Sequence, residues 1–229
     1  MMKSLPNVSF QMPPLRETWP IVLIIVACVG IEVILIISGW SQSGRGLRQK
    51  AYEYAGFWPG LLGRGWQPNY TGQSYLMFLS YGFLHGGLAH LIFNMIAVWQ
   101  LGRQVIWRVG ISGFWWLYAA TLFGGALGFG MLANSLQPMV GASGALFGLL
   151  GGLLAWSYVD RYFHNRRLWP IARAVLILIA LNLAMWWLMS GQLAWETHLG
   201  GFVTGWIAAL IIDPRSRDPD LDLGPEEVQ

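Results

Sequence analysis

The chain has 229 residues, 55% of them hydrophobic and only 11% charged, with a mean hydropathy of +0.48 and a formal net charge of +3. A soluble domain carries about a quarter charged residues, so this composition excludes a water-facing globule and points to a polytopic membrane protein. The small positive balance fits basic loops that set membrane orientation and gives no reason to expect a nucleic-acid partner. Cys28 is the one cysteine, which excludes an intrachain disulfide. The 29 glycines allow close helix approach, and the 14 tryptophans suit the membrane–water interface.

Residues 1–19 read as a short polar tail. No cleavable signal is evident, because the first apolar stretch begins near Pro20 and is too long for an h-region. Residues 20–40 form a first span, long enough to cross a ~30 Å hydrocarbon core. Glu32 interrupts it. An acid in a span must face protein or water. The favoured reading is a protonated or hydrogen-bonded interface residue, and the competing one is a functional polar site. Residues 41–74 make a long loop with Arg45, Arg48, Lys50, Arg64, Tyr52, Tyr54 and Trp58, suited to lying in the interface.

A second span, 75–104, is unusually polar, with His85, His90, Asn94 and Gln100. A third, 111–132, has Gly124 and Gly128 four residues apart. Residues 133–141 are a short uncharged loop. A fourth span, 143–159, carries Gly144, Gly148 and Gly152 on one face. A basic loop over 160–167 precedes a fifth span, 171–189, and a tight turn leads to a sixth, 196–212. Residues 213–229 are an acidic polar tail. The expected fold is all-α, a bundle of six transmembrane helices over residues 20–212 between two tails.

Six spans place both termini on one side. Lys3, Arg16, Arg103, Arg108, Arg161, Arg166, Arg167, Arg173, Arg215 and Arg217 share that side, which should be cytoplasmic; the first loop holds the other four of the 14 basic residues. Ser143 then opens its span at the outer end, and His198 lies near the outer end of the sixth. The two fall at similar depth.

Ser143 sits in Gly141-Ala142-Ser143-Gly144, which keeps bulk away from its hydroxyl. A serine needs a base to become a nucleophile. Backbone N–H groups at a helix start are free to meet an oxyanion. Taken alone, the stretch reads as a small-residue helix contact. His198 stands in His198-x-x-Gly201-x-x-x-Gly205, whose glycines offer a groove to match that of the fourth span. A histidine in a span is a functional hypothesis, against the plainer reading of an interhelical hydrogen bond. His90 and Asn94, four apart, share a helix face and can both donate, either to an oxyanion or within a structural polar network. His85 reads as structural, bracing the first loop, and His164 as solvated. Glu196 is two residues from His198 and points away on a helix, so the expectation is a Ser-His pair without a third carboxylate. No His-Glu-x-x-His pattern is present, and neither metal nor cofactor is expected.

These residues resemble the rhomboid family of intramembrane serine proteases. Three motifs carry the resemblance in order: His85-Gly-Gly-Leu-Ala-His90-Leu-Ile-Phe-Asn94, Gly141-Ala142-Ser143-Gly144, and His198-Leu-Gly-Gly201-Phe-Val-Thr-Gly205. The resemblance implies Ser143 as nucleophile and His198 as general base. It implies an oxyanion hole from His90, Asn94 and the Ser143 N–H, with Gly141 shaping the turn. It also implies a gate near the fifth span, resting here on Trp186, Trp187, Met189 or Trp195. Membrane-protein segments in the bilayer are the implied substrates, and a bacterial cytoplasmic membrane the expected location. Two positions depart from the family. Leu76-Met77 stand where a Trp-Arg pair is usual, and Phe147 where many members have a tyrosine against the base histidine. The alternative on the same scaffold is an inactive relative that escorts membrane clients. A transporter would show repeated halves, which are not found.

Overall fold

The apolar runs fold as helices. The computed structural model describes residues 13–39 and 46–212, so the tails beyond these limits and Arg45 lie outside the described residues. Seven α-helices follow one another: α1 (Trp19–Gly39), α2 (Leu47–Ala55), α3 (Gln73–Ser80), α4 (Leu88–Leu132), α5 (Ser143–Phe163), α6 (Trp169–Leu188) and α7 (Trp195–Ile211). Among the described residues the one β-type pairing is an isolated bridge between Phe57 and Met139, which ties the first loop to the segment before α5.

Helix α4 is two membrane crossings in one run. Its 45 residues are about 67 Å long, roughly twice the hydrocarbon thickness. The limbs 88–109 and 111–132 meet at Gly110, whose φ of 73° is a left-handed conformation that reverses the chain without leaving helical hydrogen bonding for long. The expected loop between the second and third spans is therefore helical almost throughout. Helices α1, α4 and α6 are the described helices long and apolar enough to cross a membrane. Valine, leucine and isoleucine side chains on α1 and α6 face outward, as lipid contact requires. With α5 and α7, these make six apolar helical segments in a polytopic bundle.

The second span begins later than the sequence pattern suggests. Residues 73–83 form α3 and a 3-10 turn ahead of the crossing, which starts only at Leu88. The pattern is misleading because Tyr75, Leu76 and Leu79 are apolar yet exposed on the loop helix. Gly87, with φ 127°, then breaks the helical path.

Helices α5 and α7 lie at the centre, against each other and against the second limb of α4. A Cβ added at Gly201 would collide with the Gly144 carbonyl, and one at Gly205 with the Gly148 carbonyl. On the α4 side, a Cβ at Gly128 would come 2.8 Å from the Gly200 Cα. The glycine grooves expected from spacing are thus the surfaces on which the central helices touch. The far end is pinned by Trp156 Nε1, which donates to Ala209 O at 2.8 Å, and by a two-pronged Arg108–Asp160 pair at 2.9 Å.

The first loop is anchored by an ion pair. Arg48 on α2 donates to Glu32 at 2.8 and 3.2 Å and to the His85 carbonyl at 3.2 Å, while Tyr52 donates to that same carbonyl at 2.7 Å. The hydrogen bond that Glu32 accepts holds the guanidinium above its ordinary pKa. Glu32 is therefore a hydrogen-bonded residue with a cationic partner, and Arg48 braces the loop where Leu76-Met77 do not. The Glu32 side chain is 2% exposed and that of Arg48 32%. Removing the arginine strands the more deeply buried charge, so Arg48→Met should destabilise by about 3 kcal/mol. Glu32→Gln leaves a cation that water can reach and should cost about 1 kcal/mol. The double variant Glu32→Leu/Arg48→Met should recover most of the loss. Thermal unfolding in detergent reads all three; a double variant as unstable as the two single changes summed would refute the pairing.

Candidate active site

Ser143 is the first residue of α5, placed there by a turn that only glycine fits easily. Gly141 has φ 128°, and its N–H donates to Tyr81 O at 3.0 Å. A Cβ at Gly141 would stand 2.7 Å from His90 Cε1 and 3.7 Å from Asn94 Nδ2. The missing side chain is what lets both donors come up beside the serine turn.

His198 lies in the first turns of α7 and is 7% exposed. Its Nε2 is 2.9 Å from Ser143 Oγ. Phe147, one helical turn after Ser143, stacks flat on the imidazole, with centroids 4.1 Å apart and planes 6° from parallel. The phenyl ring thus makes the packing contact without a hydroxyl. Glycines 201 and 205 follow His198 on the face that meets α5, which is why the histidine reaches the serine at all.

His90 and Asn94 share one face of α4, as their spacing predicts. The Gly86 N–H donates to His90 Nδ1 at 3.2 Å, so the His90 proton resides on Nε2, the nitrogen facing Gly141. Asn94 Nδ2 is buried with no hydrogen-bond partner among the described residues. Two donors therefore converge on the space beside Gly141 and Ser143. His85 is not on the helix: it lies in the turn before α4, its ring edge-on to His90 at 5.3 Å. It braces the loop through its carbonyl and not through its ring.

One participant escapes the sequence motifs. Asn182, on α6, places Oδ1 2.7 Å from His198 Nδ1. Glu196 does not reach this nitrogen; the group opposite it is an amide. Beside the pair, a cavity of about 490 Å³ opens between α6 and α7, lined by Phe147, Asn182, Trp186, Trp195, His198 and Phe202 among others. Of the four expected gate residues, Trp186 and Trp195 line this cavity, whereas Trp187 and Met189 do not.

A polytopic helical bundle that pairs a hydroxyl with an imidazole at 2.9 Å, beside an amide and a second imidazole, defines a helical membrane protein with a buried polar site. A family model described as the Rhomboid domain matches residues 72–215. The chain belongs to the rhomboid family. It is 34% identical over 134 residues to RHOMBOID-like protein 4 of Arabidopsis thaliana, covering 58% of this chain and 33% of that one. It is 35% identical over 126 residues to Rhomboid protease GluP of Bacillus subtilis, covering 55% and 24%. It is 34% identical over 136 residues to Rhomboid protein 1, mitochondrial, of Saccharomyces cerevisiae, covering 54% and 38%. The matches thus span between about a quarter and two-fifths of these relatives' length.

Proposed function

We propose that the chain is an intramembrane serine endopeptidase, its domain over residues 20–212 cutting transmembrane segments of other membrane proteins near the outer face. The observation that carries this reading is the 2.9 Å contact from His198 Nε2 to Ser143 Oγ beside Asn94 Nδ2, which has no hydrogen-bond partner among the described residues. Ser143 Oγ attacks the scissile carbonyl carbon, and its proton passes to His198 Nε2. Charge develops on the carbonyl oxygen, where Asn94 Nδ2, His90 Nε2–H and the Ser143 backbone N–H can donate. The carbon–nitrogen bond then breaks, and the leaving amine takes the proton from His198. Water, deprotonated by the same nitrogen, attacks the acyl carbon; Ser143 recovers its proton and the new carboxyl terminus departs.

The loop charges support cytoplasmic termini and a site toward the opposite face. The bacterial cytoplasmic membrane expected from the sequence is not singled out by the relatives, which include proteins named as mitochondrial.

The test is cleavage of a single-span substrate in detergent or liposomes, together with labelling by a fluorophosphonate probe. Wild type should cleave and take the label at Ser143. A folded protein that does neither would support the inactive, client-escorting alternative. Within the proposed mechanism Asn94 acts only as charge develops. Asn94→Ala should lower kcat by about 10²-fold and leave KM nearly unchanged. A loss confined to KM would remove Asn94 from the oxyanion site.

A further inference from the structure

We infer that Asn182 is a positioning residue for His198, completing a serine–histidine–asparagine chain; the inference rests on the proposed protease reading. A neutral imidazole has two tautomers, and only the one with a bare Nε2 can accept the Ser143 proton. That tautomer carries its proton on Nδ1, which needs an acceptor in a site walled by Phe147 and apolar helix faces. Asn182 Oδ1 is that acceptor, at 2.7 Å. The orientation of its amide is fixed independently, because Asn182 Nδ2 donates to Leu178 O at 3.3 Å, leaving Oδ1 to face the ring.

The surroundings of Asn182 sharpen the point. From Ile179 to Gln192 every residue except Asn182 is exposed. Asn182 is thus the one half-buried residue of α6 over this stretch, and Ile179, Leu183 and Trp186 line the cavity beside it. A membrane helix gains nothing from an asparagine facing lipid, and an amide aimed at a histidine is a costly substitution to keep for packing alone. The bond orients the ring from the side opposite Ser143, while Phe147 fixes its plane.

A purely structural tie between α6 and α7 would also use this hydrogen bond, so the experiment separates the two roles. Cleavage of the single-span substrate, fluorophosphonate labelling and thermal midpoint are measured for wild type, Ser143→Ala, Asn182→Leu and Asn182→Asp. Leucine matches asparagine in size but accepts nothing; aspartate keeps an acceptor oxygen at the same reach. Asn182→Leu should lower kcat about 10- to 100-fold, part of the 10²–10⁴-fold a placed base supplies, with KM within about twofold. Labelling should slow by a similar factor, and Asn182→Asp should restore most of the rate. Asn182→Ala, which adds no bulk, gives the same reading if the leucine variant does not accumulate. An Asn182→Leu enzyme as fast as wild type, or one whose loss follows its thermal midpoint with no rescue by aspartate, overturns the inference. Those results leave the protease reading intact if Ser143→Ala is silent. Cleavage by Ser143→Ala removes both together.

Discussion

Ser143→Ala and His198→Ala should each lower cleavage by on the order of 10⁵-fold or more, and the double variant should lose little beyond either alone. In the proposed mechanism the two groups make one proton-transfer unit across a 2.9 Å contact, so removing either would disable the other. What remains would come from binding and from the donors beside Gly141, which act on the substrate without the nucleophile. The two variants differ in their structural cost. Ser143→Ala leaves α5 and its turn intact. His198→Ala also removes the stack on Phe147 and the bond to Asn182, and should therefore lower the thermal midpoint slightly while Ser143→Ala does not. Rates of single-span substrate cleavage, read with unfolding curves, decide the matter. Multiplied losses in the double variant would mean that serine and histidine act separately.

The parts of this site legible in the sequence are those marked by small neighbours. Ser143 stands in a run of small residues, Gly141-Ala142-Ser143-Gly144, at a helix start. His198 precedes two glycines at helix-neighbour spacing, and His90 and Asn94 are one turn apart. Each mark is local, and chain topology alone levels the serine with the histidine. Asn182 has no such neighbours: it lies in an apolar run whose period is uninformative because nearly every side faces lipid. The available signal was a lone amide within a span, where polar residues are expensive. The Glu32–Arg48 pair was hidden for another reason. Its partners sit on a span and a loop helix, and no spacing rule joins them. The late start of the second span shows the converse failure. Apolar composition marks burial in lipid or protein but does not separate a crossing from a loop helix such as α3.

One of the two tightest glycine contacts among the described residues sits one residue from the proposed nucleophile, which makes Gly201→Ala a severe test of the architecture. Its new Cβ would collide with the Gly144 carbonyl, a backbone atom that no rotamer change can move aside. Helix α7 must then shift from α5. Overpacking of this kind costs about 3 kcal/mol. His198 lies one turn before Gly201 on α7 and Ser143 next to Gly144 on α5, so the same shift widens the 2.9 Å contact. A displacement near 1 Å can cost about 10²-fold in rate. Gly201→Ala should therefore lose stability and activity together, more than any change on the lipid side. Gly30 on α1 supplies the control, since a Cβ there meets nothing within 4 Å. Gly30→Ala should leave cleavage unchanged and raise helix stability by up to about 1 kcal/mol. If both substitutions behaved alike in unfolding and cleavage assays, the contact between α5 and α7 could not be what holds serine and histidine together.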